Sequence, residues 1–131
     1  MKGLYVLIID VAERICPKVG ALGPLYFDKG SYAYVGSAQS NIELRVKRHL
    51  KKDKVLFWHI DYLLANPSTR VVAVFFKAGA KEEECRIADM ILNNGCEPVA
   101  GFGCSDCDCT SHLFRVVNFD FLQLRLQVIK V

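Results

Sequence analysis

At 131 residues the chain has the common size of one domain, and with 52% apolar and 24% charged residues it carries too much core-forming material for a disordered tail. Its first apolar run, Leu4 to Ile9, is too short for a membrane span and too soon followed by Asp10, Glu13 and Arg14 for a signal peptide. The net charge of +3 is unevenly placed: Arg45, Lys47, Arg48, His49, Lys51, Lys52 and Lys54 lie close together, and Glu82, Glu83 and Glu84 form a separate acidic run.

A cytoplasmic protein with no membrane partner is therefore expected. Gly3 to Asp10 is apolar on both faces and rich in β-branched and aromatic residues, which predicts a central strand. Pro17, Gly20, Gly23 and Pro24 break the stretch from Arg14 to Phe27 into edge pieces or a hairpin, and Asp28-Lys29-Gly30 supplies a turn. Ser31 to Gly36 alternates with period two and predicts a second strand. From Ile42 to Lys52, the residues Ile42, Val46 and Leu50 recur every four positions, as on the core-facing stripe of a helix.

A second helix is expected from about Phe57 to Ala65, ended by Asn66-Pro67. Arg70 to Lys77 predicts a strand, and Lys81 to Asn94 a helix that Gly95 closes. Gly101 to Ser111 reads as irregular. His112 to Val117 and Phe121 to Val128 read as strands, the second from its alternation of Leu122, Leu124, Leu126 and Val128 with polar residues. The order predicts one α/β (α+β) domain over residues 1–131: a small, mainly antiparallel sheet flanked by about three helices, with an inserted hairpin and C-terminal strands.

Several residues suggest chemistry. Tyr5 and Tyr34 lie on neighbouring strands, and Gly36 beside the second would let a phosphate approach the backbone. At 100° per residue, Arg45 and His49 stack one turn apart with Arg48 and Lys52 beside them, a row able to hold a phosphate. His49 could move a proton or orient a water. On the last helix Glu84 falls on the buried stripe with Ala88, Ile91 and Leu92, while Glu82 points to the wet side. An inward carboxylate needs a partner, either a hard divalent cation or the guanidinium of Arg45.

The six cysteines suggest free thiols or a metal site before disulfides, although an intracellular disulfide of the hyperthermophile kind stays open. Cys104, Cys107, Cys109 and His112 are suitable ligands for tetrahedral zinc, but all four fall within nine residues, without a distant second pair. The loop is therefore read first as packing beside the site, with Ser105, Asp106, Ser111 and His112 bonding backbone or contacting phosphate. Cys16, Cys85 and Cys96 read as small buried hydrophobes, and Trp58 as core. His59 is balanced between a bond within the fold and a substrate contact.

Gly3-Leu4-Tyr5, Tyr34-Val35-Gly36-Ser37-Ala38, Arg45 with His49, and Glu84, in this order over nearly the whole chain, resemble the GIY-YIG nuclease superfamily. Tyr32 to Ala38, Trp58 to Leu64, Glu84-Cys85 and Gly101 to Cys107 are similar to a mostly archaeal branch of it, sometimes fused to endonuclease III-like repair proteins. The chain differs from many members in the long insertion between Tyr5 and Tyr34.

The resemblance implies a metal-dependent endonuclease acting on DNA, including branched or damaged sites, in the company of DNA-repair proteins. It implies active-site roles for Tyr5, Tyr34, Arg45 and Glu84, with one Mg²⁺ or Mn²⁺ held by Glu84 and Arg45 balancing charge in an in-line displacement. Tyr34 is the first choice to activate the water, with His49 the other and Tyr5 positioning. Gly36, Ser37, Arg48, Lys52, His59, Ser105, Ser111 and His112 would contact the nucleic acid. Two other readings stay open: a non-catalytic nucleic-acid-binding module of the same fold, and a zinc-stabilised interaction domain.

Overall fold

The structure is a computed structural model and describes residues 2–104 and 109–130. Six strands form one sheet: β1 (Gly3–Val11), β2 (Gly30–Ala38), β3 (Thr69–Ala78), β4 (Glu97–Pro98), β5 (Leu113–Val116) and β6 (Gln127–Lys130). Their order is β4-β5-β2-β1-β3-β6, and every pairing is antiparallel. Three α-helices pack on the sheet among the described residues, α1 (Ile42–Leu50), α2 (His59–Leu64) and α3 (Glu84–Asn93). The expected α+β class, with helices flanking an antiparallel sheet, is the one observed.

β1 is central because nothing in its sequence could face water. Every residue from Gly3 to Ile9 is buried, and the strand is laddered on both sides, to β2 and to β3. Its side chains alternate between two cores. Tyr5, Leu7 and Ile9 lie with Tyr34, Ile42, Ile60, Leu63 and Phe102 under α1 and α2. Leu4, Val6 and Ile8 lie with Phe75, Ile87 and Ile91 under α3. Burying each such side chain contributes roughly 1.5–3 kcal/mol, so the strand that carries Tyr5 is also a principal source of stability.

The expected hairpin between β1 and β2 is present as bridges pairing Ile15 with Phe27 and Lys18 with Pro24 around a single 3-10 turn at Gly20–Leu22. Asn41 starts α1 by accepting the Leu44 amide on its side chain at 3.1 Å, and Gly95, at φ +82, follows α3. No described helix is long and apolar enough to cross a membrane.

Two expectations about pattern need correction. In α1 Leu50 is exposed, and the inward face carries Ile42 and His49. The stripe is turned because a hydrogen bond to Tyr5 draws His49 inward. The Phe121 to Val128 segment is not one strand: Asp120–Leu124 forms 3-10 turns, and only Gln127–Lys130 pairs with β3. Leu122 and Leu126 are buried and Leu124 is exposed, a spacing of four that mimicked alternation.

Candidate active site

In the β1–β2 ladder Tyr5 stands directly opposite Gly36. A Cβ on Gly36 would lie 2.5 Å from both Cζ and Oη of Tyr5, so this glycine makes room for the Tyr5 ring. That role differs from the phosphate approach expected of it, although Gly36 also lines the cavity described below. Tyr34 projects on the same sheet face as Tyr5, its ring edge-on to those of His49 and Phe102. The Tyr5 hydroxyl and His49 Nε2 are 2.8 Å apart.

Burial sets the protonation of all three groups. It raises the Tyr5 pKa to about 12 against the lowering influence of Arg45, and it holds Tyr34 well above the ordinary phenol value. Burial also lowers His49 to about 3, helped by the nearby ammonium of Lys54. At neutral pH the cluster is therefore uncharged.

α1 places Arg45 one turn before His49, and the backbone after β2 catches it: Arg45 Nη1 donates to the Ser37 carbonyl at 2.9 Å. The guanidinium also lies 4.5 Å from the centre of the Trp58 ring, and that of Arg48 lies equally close to the same ring. Arg48 is held by Asp61 through a two-pronged pair at 2.8 and 2.9 Å. Asp61 is fully buried and also accepts the amides of Phe57 and Trp58 at the start of α2. Burial alone would raise its pKa, but Arg48 and those amides outweigh it and hold the carboxyl below its ordinary value.

The row of four basic groups expected along α1 thus reduces to Arg45 at the cavity. Arg48 is engaged by Asp61. Lys52 directs its ammonium to the carbonyls of Leu64, Asn66 and Thr69 and to the Thr69 hydroxyl, all within 3.0 Å. His49 lies behind Tyr5. The phosphate contacts expected of Arg48 and Lys52 are replaced by bonds that hold α1 to α2 and β3.

Glu84, the first residue of α3, reaches the same place from the other side. Its Oε1 accepts from His112 Nδ1 at 2.8 Å, and the Ser37 hydroxyl donates to the carboxylate as well. Burial would raise the Glu84 pKa, and these donors reverse the shift and keep it below the ordinary carboxylate value. Its hydrogen-bond partner is His112, not the Arg45 guanidinium considered from sequence. Glu82 is exposed, as the helical geometry of the acidic run anticipated, and Glu83 pairs with Lys77 at 3.2 Å.

Tyr5, Tyr34, Arg45 and Glu84 line one open cavity of about 520 Å³, together with Gly36, Ser37 and His59. His59 lines the cavity, and its Nδ1 accepts the Gly103 amide at 2.9 Å, the bond within the fold that was one of its two expected roles. Ser111 does not reach the cavity. It is buried, donating to the Leu113 carbonyl and accepting the Leu113 amide. His112 is buried behind Glu84 and does not line the cavity. Ser105, Asp106 and Cys107 lie outside the described residues.

Sequence reasoning missed Gln39, Phe57, Lys81 and Gly103, which also border the cavity; Trp58, read as core, packs partly buried against the core and borders the cavity as well.

The cysteines depart most from expectation. Cys85 is joined to Cys109 in a disulfide, Cys16 is exposed, and only Cys96 is a small buried hydrophobe. The proposed four-ligand zinc loop is not assembled from its described members either: Cys104 donates to the Phe102 carbonyl and Cys109 is bonded to Cys85.

An antiparallel sheet with two tyrosines, an arginine and a glutamate around one cavity defines an α+β protein with a polar, open site. A family model described as a domain of unknown function, DUF123, matches residues 4–130, and the chain belongs to that family. No curated protein and no solved structure matches it.

Proposed function

We propose that this protein is a GIY-YIG-type endonuclease that hydrolyses DNA phosphodiester bonds with one Mg²⁺ or Mn²⁺. The observation that carries the reading is the meeting of Tyr5, Tyr34, Arg45 and Glu84, distant in sequence, in one cavity. The donor set suits a hard cation: a carboxylate held ionised at the cavity wall, hydroxyl oxygens nearby, and space for the waters such an ion keeps. When bound there, the ion supplies Lewis-acid stabilisation of the leaving oxygen and lowers the pKa of an adjacent water.

The chain's own residues do the remaining work. Arg45, fixed by the Ser37 carbonyl and the Trp58 ring, balances charge on the phosphate's outer oxygens. His112 and Ser37 orient the Glu84 carboxylate. Tyr5, a neutral phenol whose hydroxyl is hydrogen-bonded to His49 Nε2, positions the attacking water on its remaining lone pair, and the water's proton leaves to solvent. Tyr34 then positions the phosphate. DNA with branches or damage, and repair proteins as associates, remain the partners proposed.

The test is cleavage of branched, nicked and single-stranded DNA in Mg²⁺ or Mn²⁺. Wild type should cut and stop on chelation, and Glu84→Gln should lose at least about 100-fold in rate. An active Glu84→Gln would overturn the metal assignment. Salt-sensitive binding without cleavage in either metal would establish the non-catalytic reading instead.

A further inference from the structure

Behind Glu84 lies a cluster whose two sulfurs the proposed reaction does not use. Cys85 is the second residue of α3, whereas Cys109 and His112 belong to the segment leading into β5. The Cys85 and Cys109 sulfurs and a ring nitrogen of His112 all lie within 4.8 Å of one another. Cys85 Sγ is 3.9 Å from His112 Nε2, and the histidine is 2% exposed.

The other ring nitrogen explains why the imidazole points this way. Nδ1 lies 2.8 Å from Glu84 Oε1, and this contact turns the Nε2 edge of the ring toward the two sulfurs. A carboxylate behind a histidine that faces soft donors is the arrangement that orients metal-binding imidazoles. The backbone holds it in register, with the Val35 amide donating to the His112 carbonyl at 2.8 Å and the His112 amide donating to that of Phe102 at 2.8 Å. The distant partner missing from the cysteine loop is supplied by Cys85, 24 positions before Cys109.

We propose that the thiol form of this protein binds one zinc-class divalent cation through Cys85 Sγ, Cys109 Sγ and His112 Nε2, with water as the fourth ligand. Two thiolates and one imidazole select Zn²⁺ or Co²⁺ over the hard ions proposed for the cavity. In the structure the two sulfurs are bonded to each other, so the site forms only after reduction. With a phosphine reductant the S–S bond breaks, the phosphine is oxidised by taking the oxygen of one water, and the sulfurs take its two protons. Binding the cation then releases both thiol protons. The proposal goes beyond the nuclease reading and does not depend on it.

The experiment titrates Co²⁺ into the full chain, reduced by a phosphine and kept anaerobic. A near-ultraviolet thiolate-to-cobalt band should saturate at one ion per chain and disappear on addition of Zn²⁺. Oxygen ligands at Glu84 give no such band, so the outcome is independent of nuclease activity. Cys85→Ser and His112→Gln should abolish the band or weaken affinity by roughly 100-fold or more, and Glu84→Gln by roughly 10–100-fold. The double variant Cys16→Ser/Cys96→Ser should bind as wild type. X-ray absorption of the zinc form of wild type, which requires no variant to fold, should count two sulfurs. No cobalt band, a band unchanged in Cys85→Ser, or a zinc shell with no sulfur or with more than two would overturn the proposal.

Discussion

His49 shows how far a side chain's surroundings can change its expected chemistry. It sits in a basic run, yet it is 2% exposed, bonded to Tyr5 and ringed by Tyr34 and Trp58. Burial, with Lys54, Arg45 and Arg48 nearby, depresses its pKa to about 3 from an ordinary 6.5. The unfolded chain therefore takes up a proton between those values that the folded chain refuses, so stability is full above about 6.5 and falls as the pH drops toward 3. At about 1.4 kcal/mol per pH unit, wild type should lose roughly 2–3 kcal/mol more than His49→Gln between pH 6.5 and 4, measured by denaturant unfolding. Equal slopes for the two proteins would refute the buried neutral imidazole. At this scale Tyr5, Tyr34, Arg45 and Glu84 were legible from residue type and order. The role of Gly36 was not, because it depends on which residue stands across the ladder.

Among the elements, α2 best illustrates support given from outside the site. Asp61 accepts two amides at the helix start and both prongs of Arg48, and Arg48 lies against the same Trp58 ring that backs Arg45. Removing the buried carboxylate leaves its donors unsatisfied. Asp61→Ala should destabilise the protein by roughly 3–5 kcal/mol in a denaturant melt. Arg48→Met leaves the fully buried Asp61 carboxylate with only its two amide donors and should cost a similar amount, and the double variant should cost less than the sum. Full additivity would mean that the pair does not couple α1 to α2. The helices themselves were readable from the four-residue spacing that begins at Ile42 and from the breakers at Pro67 and Gly95. The C-terminal tail was not, since Leu122 and Leu126 satisfy both a period of two and a spacing of four, and only packing decides between them.

For the molecule as a whole, the site lies where structure from both faces of the sheet converges. Tyr5 and Tyr34 belong to the face under α1 and α2, whereas α3, which brings Glu84, covers the other. The order of strands could be anticipated only in outline, because long connections bring β5 beside β2 and β6 beside β3. The contact between the Glu84 end of α3 and the segment before β5 was invisible from spacing, since it joins Cys85 to Cys109 across 24 positions. That cross-link restricts the unfolded chain, and a loop of this length contributes about 3 kcal/mol in the entropic account. Reduction in the presence of a chelator should therefore lower the unfolding free energy by about 3 kcal/mol in wild type. The same treatment should change Cys85→Ser by less than about 0.5 kcal/mol, and should affect Cys16→Ser/Cys96→Ser as it affects wild type. If reduction leaves wild-type stability unchanged while mass spectrometry reports free thiols, the bond does not hold the Glu84 end of α3 against the β5 segment.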